Sequence, residues 1–255
     1  MAAANNSIEF HSVSYRLPDG RTLLADLNLE VRYGETLVLL GRSGSGKTTT
    51  MRLINRLIDP TSGRVEVEGK TTLEWDPIRL RRRIGYVIQE VGLFPHLTVE
   101  DNIGIVPRLD QWAPERIKSR AHELLNLVGL EPDKFASRLP KQLSGGQRQR
   151  VGVARALAAD PPIILLDEPF GALDPITRRE IQFEFRSLQE RLKKTMVFVT
   201  HDVREAFFLA SKICLLKDGR TVLVGAPEDF LNCDDSEVKA FIGCLADPEA
   251  AVGRA

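Results

Sequence analysis

The stretch Gly41-Arg42-Ser43-Gly44-Ser45-Gly46-Lys47-Thr48 fits the pattern G-x-x-x-x-G-K-[ST] at every defined position. Residues of these types at this spacing handle polyphosphate. The glycines let successive backbone N–H groups point into one concavity, and the helix that follows adds its positive end. A lysine at Lys47 reaches the β- and γ-phosphates, and the Thr48 hydroxyl ligates Mg²⁺, with Thr49 beside it in the first helical turn. Transfer of a phosphoryl group to water also needs a carboxylate for the metal shell and a group that orients the water. Ile163-Ile164-Leu165-Leu166-Asp167-Glu168 offers both, with Asp167 as metal candidate and Glu168 as general base. Two adjacent acids say little by themselves; beside a phosphate loop they complete a reaction centre.

A second helix start with outward-facing N–H groups is written in Leu143-Ser144-Gly145-Gly146-Gln147, ahead of helix-forming residues 148–158. A plain cap with turn glycines would look the same from these residues alone.

Particular elements must position these groups. Residues 7–13 and 22–31 alternate as half-buried strands, and Thr36 to Leu40 is an apolar run suited to a strand buried on both faces. Helical spacing of Met51, Ile54, Leu57 and Ile58 predicts a helix over 47–58. Short strands follow at 64–68 and 84–88. The middle of the chain lacks buried strands and places Ile117, Ala121, Leu124, Leu125 and Val128 on one helical face, as expected of a helical insertion at 91–160. Strand signals return at 163–166, 196–199 and 213–216, separated by helices near 177–193 and 203–211. Lys217-Asp218-Gly219-Arg220 reads as a tight turn into a strand at 221–224. Buried strands alternating with helices predict an α/β fold with a parallel sheet.

The chain has 255 residues, room for one large domain or two small ones. Its 35 Lys and Arg balance 35 Asp and Glu, which argues against nucleic acid as a partner. The apolar surroundings of Cys214 and Cys244 predict buried thiols, and with Cys233 they have no metal-ligand spacing. The opening residues 1–6 lack the character of a secretory signal, and residues 246–255 read as a frayed tail. No apolar run approaches the roughly 18 residues of a membrane span. The expected location is the cytoplasm, or the membrane face through a partner. The arginines of 79–83 read as a solvated or ion-paired face, and Trp75 and Trp112 as packing residues.

The phosphate loop combined with Leu143–Gln147 resembles the nucleotide-binding subunit of ABC transporters, over residues 7 to 245. The resemblance implies a P-loop NTPase (RecA-like) core with an N-terminal antiparallel β region, in a single domain of 1–245 whose helical subdomain carries Ser144–Gln147. It implies ATP with Mg²⁺ as the ligands. It also implies a head-to-tail dimer, with itself or a similar ATPase, in which Ser144, Gly145, Gly146 and Gln147 contact the ATP held by the other subunit. Gln89 matches the glutamine that touches Mg²⁺ and water, His201 the histidine that contacts the γ-phosphate, and Gly171-Ala172-Leu173-Asp174 the loop along the dimer interface. An integral membrane permease is the implied partner, with a solute-binding protein acting indirectly; the apolar loop Gly92-Leu93-Phe94-Pro95-His96 either receives the permease or packs internally. One departure concerns adenine: where the family has a stacking aromatic four residues after Val13, this chain has Leu17, with Tyr15 two residues early. Either Tyr15 swings in or adenine packs on an aliphatic.

A narrower resemblance, carried by Arg83–Gln89, Gly92–His96, Ile105-Val106-Pro107 and Gly171–Arg178, is to the ATPases of glycine betaine, choline and related osmoprotectant importers. Many of these append a pair of small regulatory domains, for which a chain ending at Ala255 has no room. An importer of another solute is the alternative. An ABC ATPase acting on DNA or ribosomes is disfavoured by the single phosphate loop and the balanced charge, and a small-molecule kinase by Leu143–Gln147.

Overall fold

The computed structural model describes residues 6–246 apart from Glu90 and Ala172; of the tail expected at 246–255, Ala246 ends the last helix, and residues 247–255, like the first five, lie outside the described residues. In chain order the elements are β1 (Asn6–Arg16), β2 (Thr22–Arg32), β3 (Thr36–Leu40), α1 (Lys47–Ile54), β4 (Ser62–Val67), β5 (Lys70–Thr71), α2 (Pro77–Arg82), β6 (Ile84–Val87), α3 (Val99–Ile103), α4 (Ile105–Leu109) and α5 (Pro114–Leu127). They continue with α6 (Pro132–Phe135), α7 (Gly145–Leu157), β7 (Ile163–Asp167), α8 (Pro175–Leu192), β8 (Thr195–Thr200), α9 (Val203–Leu209), β9 (Lys212–Lys217), β10 (Arg220–Gly225), α10 (Pro227–Leu231) and α11 (Ser236–Ala246). Two compact units result: one of residues 1–77 and 195–255, the other of residues 78–194.

The first unit holds an antiparallel sheet in the order β2-β1-β4-β5 and a run of strands in the order β10-β9-β3-β8. β3 is parallel to both β8 and β9, and β10 closes antiparallel on β9. Every residue of β3 and of β8 is buried, as their apolar composition requires. Full burial of a Leu or Val side chain stabilises by about 1.5–3 kcal/mol, so Leu37–Leu40 with Met196–Val199 hold this end of the phosphate loop rigidly. Between β9 and β10, Asp218 and Gly219 take φ of 49° and 75°, the left-handed pair that a two-residue hairpin turn requires.

The second unit holds β6 parallel to β7, with Ile84 opposite Ile163 and Val87 opposite Leu166. Around this pair lie α3, α5, α7 and α8, whose buried faces include Ile103, Leu124, Leu125, Val151, Ala154 and Phe185. The helices expected within 91–160 all fall in this unit.

Several element boundaries differ from the sequence reading, and three of these have a local cause. α1 stops at Ile54, not Ile58, because Arg56 turns left-handed at φ 50° and the Leu57 N–H bonds back to the Arg52 carbonyl. Arg56 is held there by the carbonyls of Leu73 and Trp75, at 3.3 and 2.8 Å, and by Asp59. α7 begins at Gly145, three residues before the helix-forming run expected at 148–158, because Ser144 caps it. α8 begins at Pro175, with proline at its first position and Asp174 as its cap. Cysteine burial is a further correction. Cys214, in β9, is buried, and burial pushes its thiol up to about 12. Cys244 is exposed, because it lies on an outward-facing side of α11 despite apolar sequence neighbours.

Trp75 and Trp112 are half-buried packing residues: Trp75 Nε1 donates to the Val67 carbonyl at 3.3 Å, and the Arg116 guanidinium lies 3.5 Å from the Trp112 ring centre. Arg82 pairs with Asp110 at 3.0 Å, consistent with an ion-paired face. Among the described residues no helix is long and apolar enough to cross a membrane.

Candidate functional site

The phosphate loop runs from the end of β3 to the start of α1 within the first unit. At Gly41 an added Cβ would lie 2.4 Å from the Leu216 carbonyl oxygen and 2.6 Å from Ser45 Oγ; at Gly46, with φ 104°, it would lie 2.6 Å from Leu24 Cδ2. Only glycine fits either place. Lys47 is 6% exposed, and its Nζ donates to the carbonyls of Gly41 at 2.7 Å and Arg42 at 2.8 Å, so the ammonium is drawn back over the loop. Thr48 and Thr49 occupy the first turn of α1, where N–H groups have no intrahelical acceptor. The Ser45 hydroxyl is buried and makes no hydrogen bond within the protein. A screened cation and an unmatched hydroxyl at the start of a helix form a donor set that suits a polyphosphate. Arg42, Ser43 and Gly44 are exposed at the tip.

Arg42 is anchored by a residue the sequence reading did not single out. Its Nε donates to Glu237 Oε1 at 3.0 Å, and Lys217 Nζ donates to Glu237 Oε2 at 2.7 Å. The Lys217 ammonium, with Arg42, holds the Glu237 carboxyl below its usual range, while Glu237 in turn raises Lys217. His201 follows β8 and is exposed; beside it the Thr200 hydroxyl donates to Glu205 at 2.6 Å and accepts from the Asp202 N–H at 3.0 Å, fixing the turn into α9. Of the two adenine candidates, Tyr15 sits in β1 opposite Leu24, whereas Leu17 lines a polar cleft with Arg16, Thr22, Asp218 and Arg220.

In the second unit, β7 delivers Asp167 at 7% exposure, and the Tyr86 hydroxyl on β6 donates to its Oδ2 at 3.5 Å. Glu168 is half-buried with φ 44°, an unfavourable backbone for a residue with a Cβ. Gln89, just past β6, donates from Nε2 to Glu168 Oε2 at 3.4 Å. The parallel pairing of β6 and β7 therefore brings Gln89, Asp167 and Glu168 to one strand end. Their donors are all oxygen or amide groups, the kind that suits a hard cation such as Mg²⁺.

Ser144 and Gln147 form a reciprocal cap on α7: Ser144 Oγ accepts from the Gln147 N–H at 3.2 Å, and Gln147 Oε1 accepts from the Ser144 N–H at 3.0 Å. Ser144 and Gly145 are exposed, and Gly146 is buried. The Asp174 carboxylate accepts from the Thr177 N–H at 3.0 Å, and that bond holds it below the usual range. Its loop neighbour Ala172 lies outside the described residues. Just before Gln89, Ile88 is 37% exposed, and in the loop after it Phe94 is 46% exposed. Buried Asn102, also missed in the sequence, clasps this loop: it accepts from the Phe94 N–H and donates to the carbonyls of Phe94, Leu97 and Thr98.

A site of this make, on this fold, defines a P-loop ATP-binding cassette. The family model described as "ABC transporter" matches residues 24–171, and the chain belongs to that family. It is 52% identical over 237 residues to a choline transport ATP-binding protein of Bacillus subtilis, covering 92% of this chain and 62% of that protein. It is 47% identical to a glycine betaine uptake system ATP-binding protein of Escherichia coli, covering 92% of this chain and 76% of that protein. The chain thus spans about three-fifths of the length of several of these relatives, 62% for the choline protein. Among solved structures, the dimeric post-hydrolysis state of the ATP-binding cassette MJ0796 bound to ADP and Pi is 38% identical, with a TM-score of 0.77 over 86% of this chain and 98% of that one.

Proposed function

We propose that this chain is the ATP-hydrolysing subunit of an ABC importer for quaternary-amine osmoprotectants. The observation that carries the reading is the Lys47 loop, whose closed glycines and unmatched Ser45 hydroxyl suit the phosphates of ATP. When bound, Mg²⁺ supplies positive charge at the phosphate oxygens; Thr48, Gln89 and Asp167 are the residues proposed to hold it. Lys47 and His201 offer donors to the γ-phosphate, and Glu168 takes a proton from water, its carboxylate kept in place by Gln89. Ser144 and Gly145 are exposed at the start of α7, which suits donation from this helix start to ATP held by a second subunit, with Asp174 at the same interface. Exposed Ile88 and Phe94 offer an apolar foothold for a membrane permease, through which the subunit is held at the inner face of the membrane, with a solute-binding protein acting on the permease. The osmoprotectant assignment is supported by the choline and glycine betaine relatives.

Light scattering of Glu168→Gln with and without Mg-ATP tests the hydrolytic half of the reading. Removing the base leaves binding intact and stalls turnover, so ATP is expected to convert monomer to dimer. A variant that binds ATP yet hydrolyses it at the wild-type rate rejects Glu168 as base. Uptake of labelled choline and glycine betaine by vesicles carrying the permease tests the substrate class.

A further inference from the structure

On the antiparallel sheet of the first unit, one side-chain cluster includes none of the residues proposed to handle nucleotide. Glu9 and His11 alternate onto one face of β1, and the ladder sets Glu66 of β4 opposite Glu9 and Arg64 opposite His11. His11 Nε2 lies 3.4 Å from Glu9 Oε2 and 3.8 Å from Glu66 Oε1. It is screened from solvent and makes no hydrogen bond. One donor atom each from Glu9, His11 and Glu66 fall within 4.8 Å of one another. Ligands bound at about 2.0–2.2 Å around a tetrahedral ion stand roughly 3.4 Å apart, so the existing spacing needs little adjustment.

The backbone aims the imidazole deliberately. Immediately after His11 the ladder slips by a bulge, with Ser12 at φ 48°. Gly63 accommodates it: a Cβ there would lie 2.5 Å from the His11 carbonyl oxygen and 2.4 Å from that of Ser12. Bulges of this kind re-aim a side chain at a site.

We propose that Glu9, His11 and Glu66 form a binding site for a first-row divalent transition-metal ion such as Zn²⁺, bridging β1 to β4. One imidazole and two carboxylates supply three ligands of borderline and hard character and leave a position for water. Arg64 is the built-in competitor. Its Nε donates to Glu66 Oε1 at 2.7 Å, so it orients that carboxylate as an outer partner while its charge opposes the ion. The metal site therefore makes a prediction in each direction: removing His11 weakens binding, and removing the Arg64 charge strengthens it.

The test is calorimetric titration of the nucleotide-free full chain with Zn²⁺. Cys233 and Cys244, which are not fully buried, are changed to serine so that thiols do not answer. One equivalent is expected to bind; His11→Gln is expected to lose at least tenfold in affinity and Arg64→Gln to gain several-fold. Zn²⁺ should also raise the melting temperature of the wild-type sheet but not that of His11→Gln. Equal affinity in wild type and His11→Gln, or no binding by either wild type or Arg64→Gln, overturns the proposal. Both substitutions are on partly exposed strand positions, and matching circular dichroism verifies that each variant is folded.

Discussion

At the scale of single residues, burial decides which charges matter. Lys47 keeps an ammonium at 6% exposure with two carbonyls accepting from it, in the loop proposed to receive phosphate. Lys47→Ala is expected to lower ATP turnover at least about 100-fold, as removal of a preorganised charge donor does; steady-state phosphate release measures it. Glu237 plays a quieter part by tethering Arg42 of the loop to α11. Its carboxyl is held below its usual 4.5 by Lys217 and Arg42, so the stabilisation is present above pH 4.5 and fades as pH falls through the lowered value. Glu237→Gln should therefore lower the melting temperature at pH 7, and the gap to wild type should close below pH 4.5. A gap that stays constant with pH would mean that packing, not charge, holds α11 there.

At the scale of elements, the readable signals were those that a short window contains. The apolar run of β3, the glycines of the loop and the acids ending β7 all announced themselves, because a strand buried on both faces and a polyphosphate loop each dictate local composition. The α7 start was legible in residue type but not in position: Ser144 and Gln147 cap each other across three residues, which extends the helix beyond its apolar periodicity. Long-range partners were invisible for a physical reason. Glu237 meets Arg42 across 195 residues, and Tyr86 meets Asp167 across 81, so no local pattern marks either. Cys244 misled because apolar neighbours in sequence are not neighbours on a helix face. Asn102 shows what such missed residues do. It is 0% exposed and satisfies an N–H and three carbonyls of the loop that carries Phe94. Asn102→Ala strands these groups, at a cost of about 2–3 kcal/mol. Denaturant unfolding reads the loss, and hydrogen exchange should quicken at the Phe94 amide first.

At the scale of the whole molecule, the proposed reaction centre draws on two chains, the exposed Ser144 end of α7 in one serving the ATP held by the other. That arrangement has an arithmetic consequence. In a head-to-tail dimer each site pairs the phosphate loop of one chain with the Ser144 end of the other. Lys47→Ala destroys the loop half and Ser144→Arg blocks the cap half, so either variant alone assembles into dimers with no intact site. Mixed in equal amounts, however, they form heterodimers in which both lesions fall in one site and leave the other whole. With random pairing half the dimers are mixed and each has one working site, so activity should return to about a quarter of wild type if the sites act independently. ATP hydrolysis by the mixture, beside each variant alone, measures this directly. Recovery on mixing would require that the halves of a site come from different chains; a mixture as inactive as its parts would mean that both halves serve the same chain's ATP.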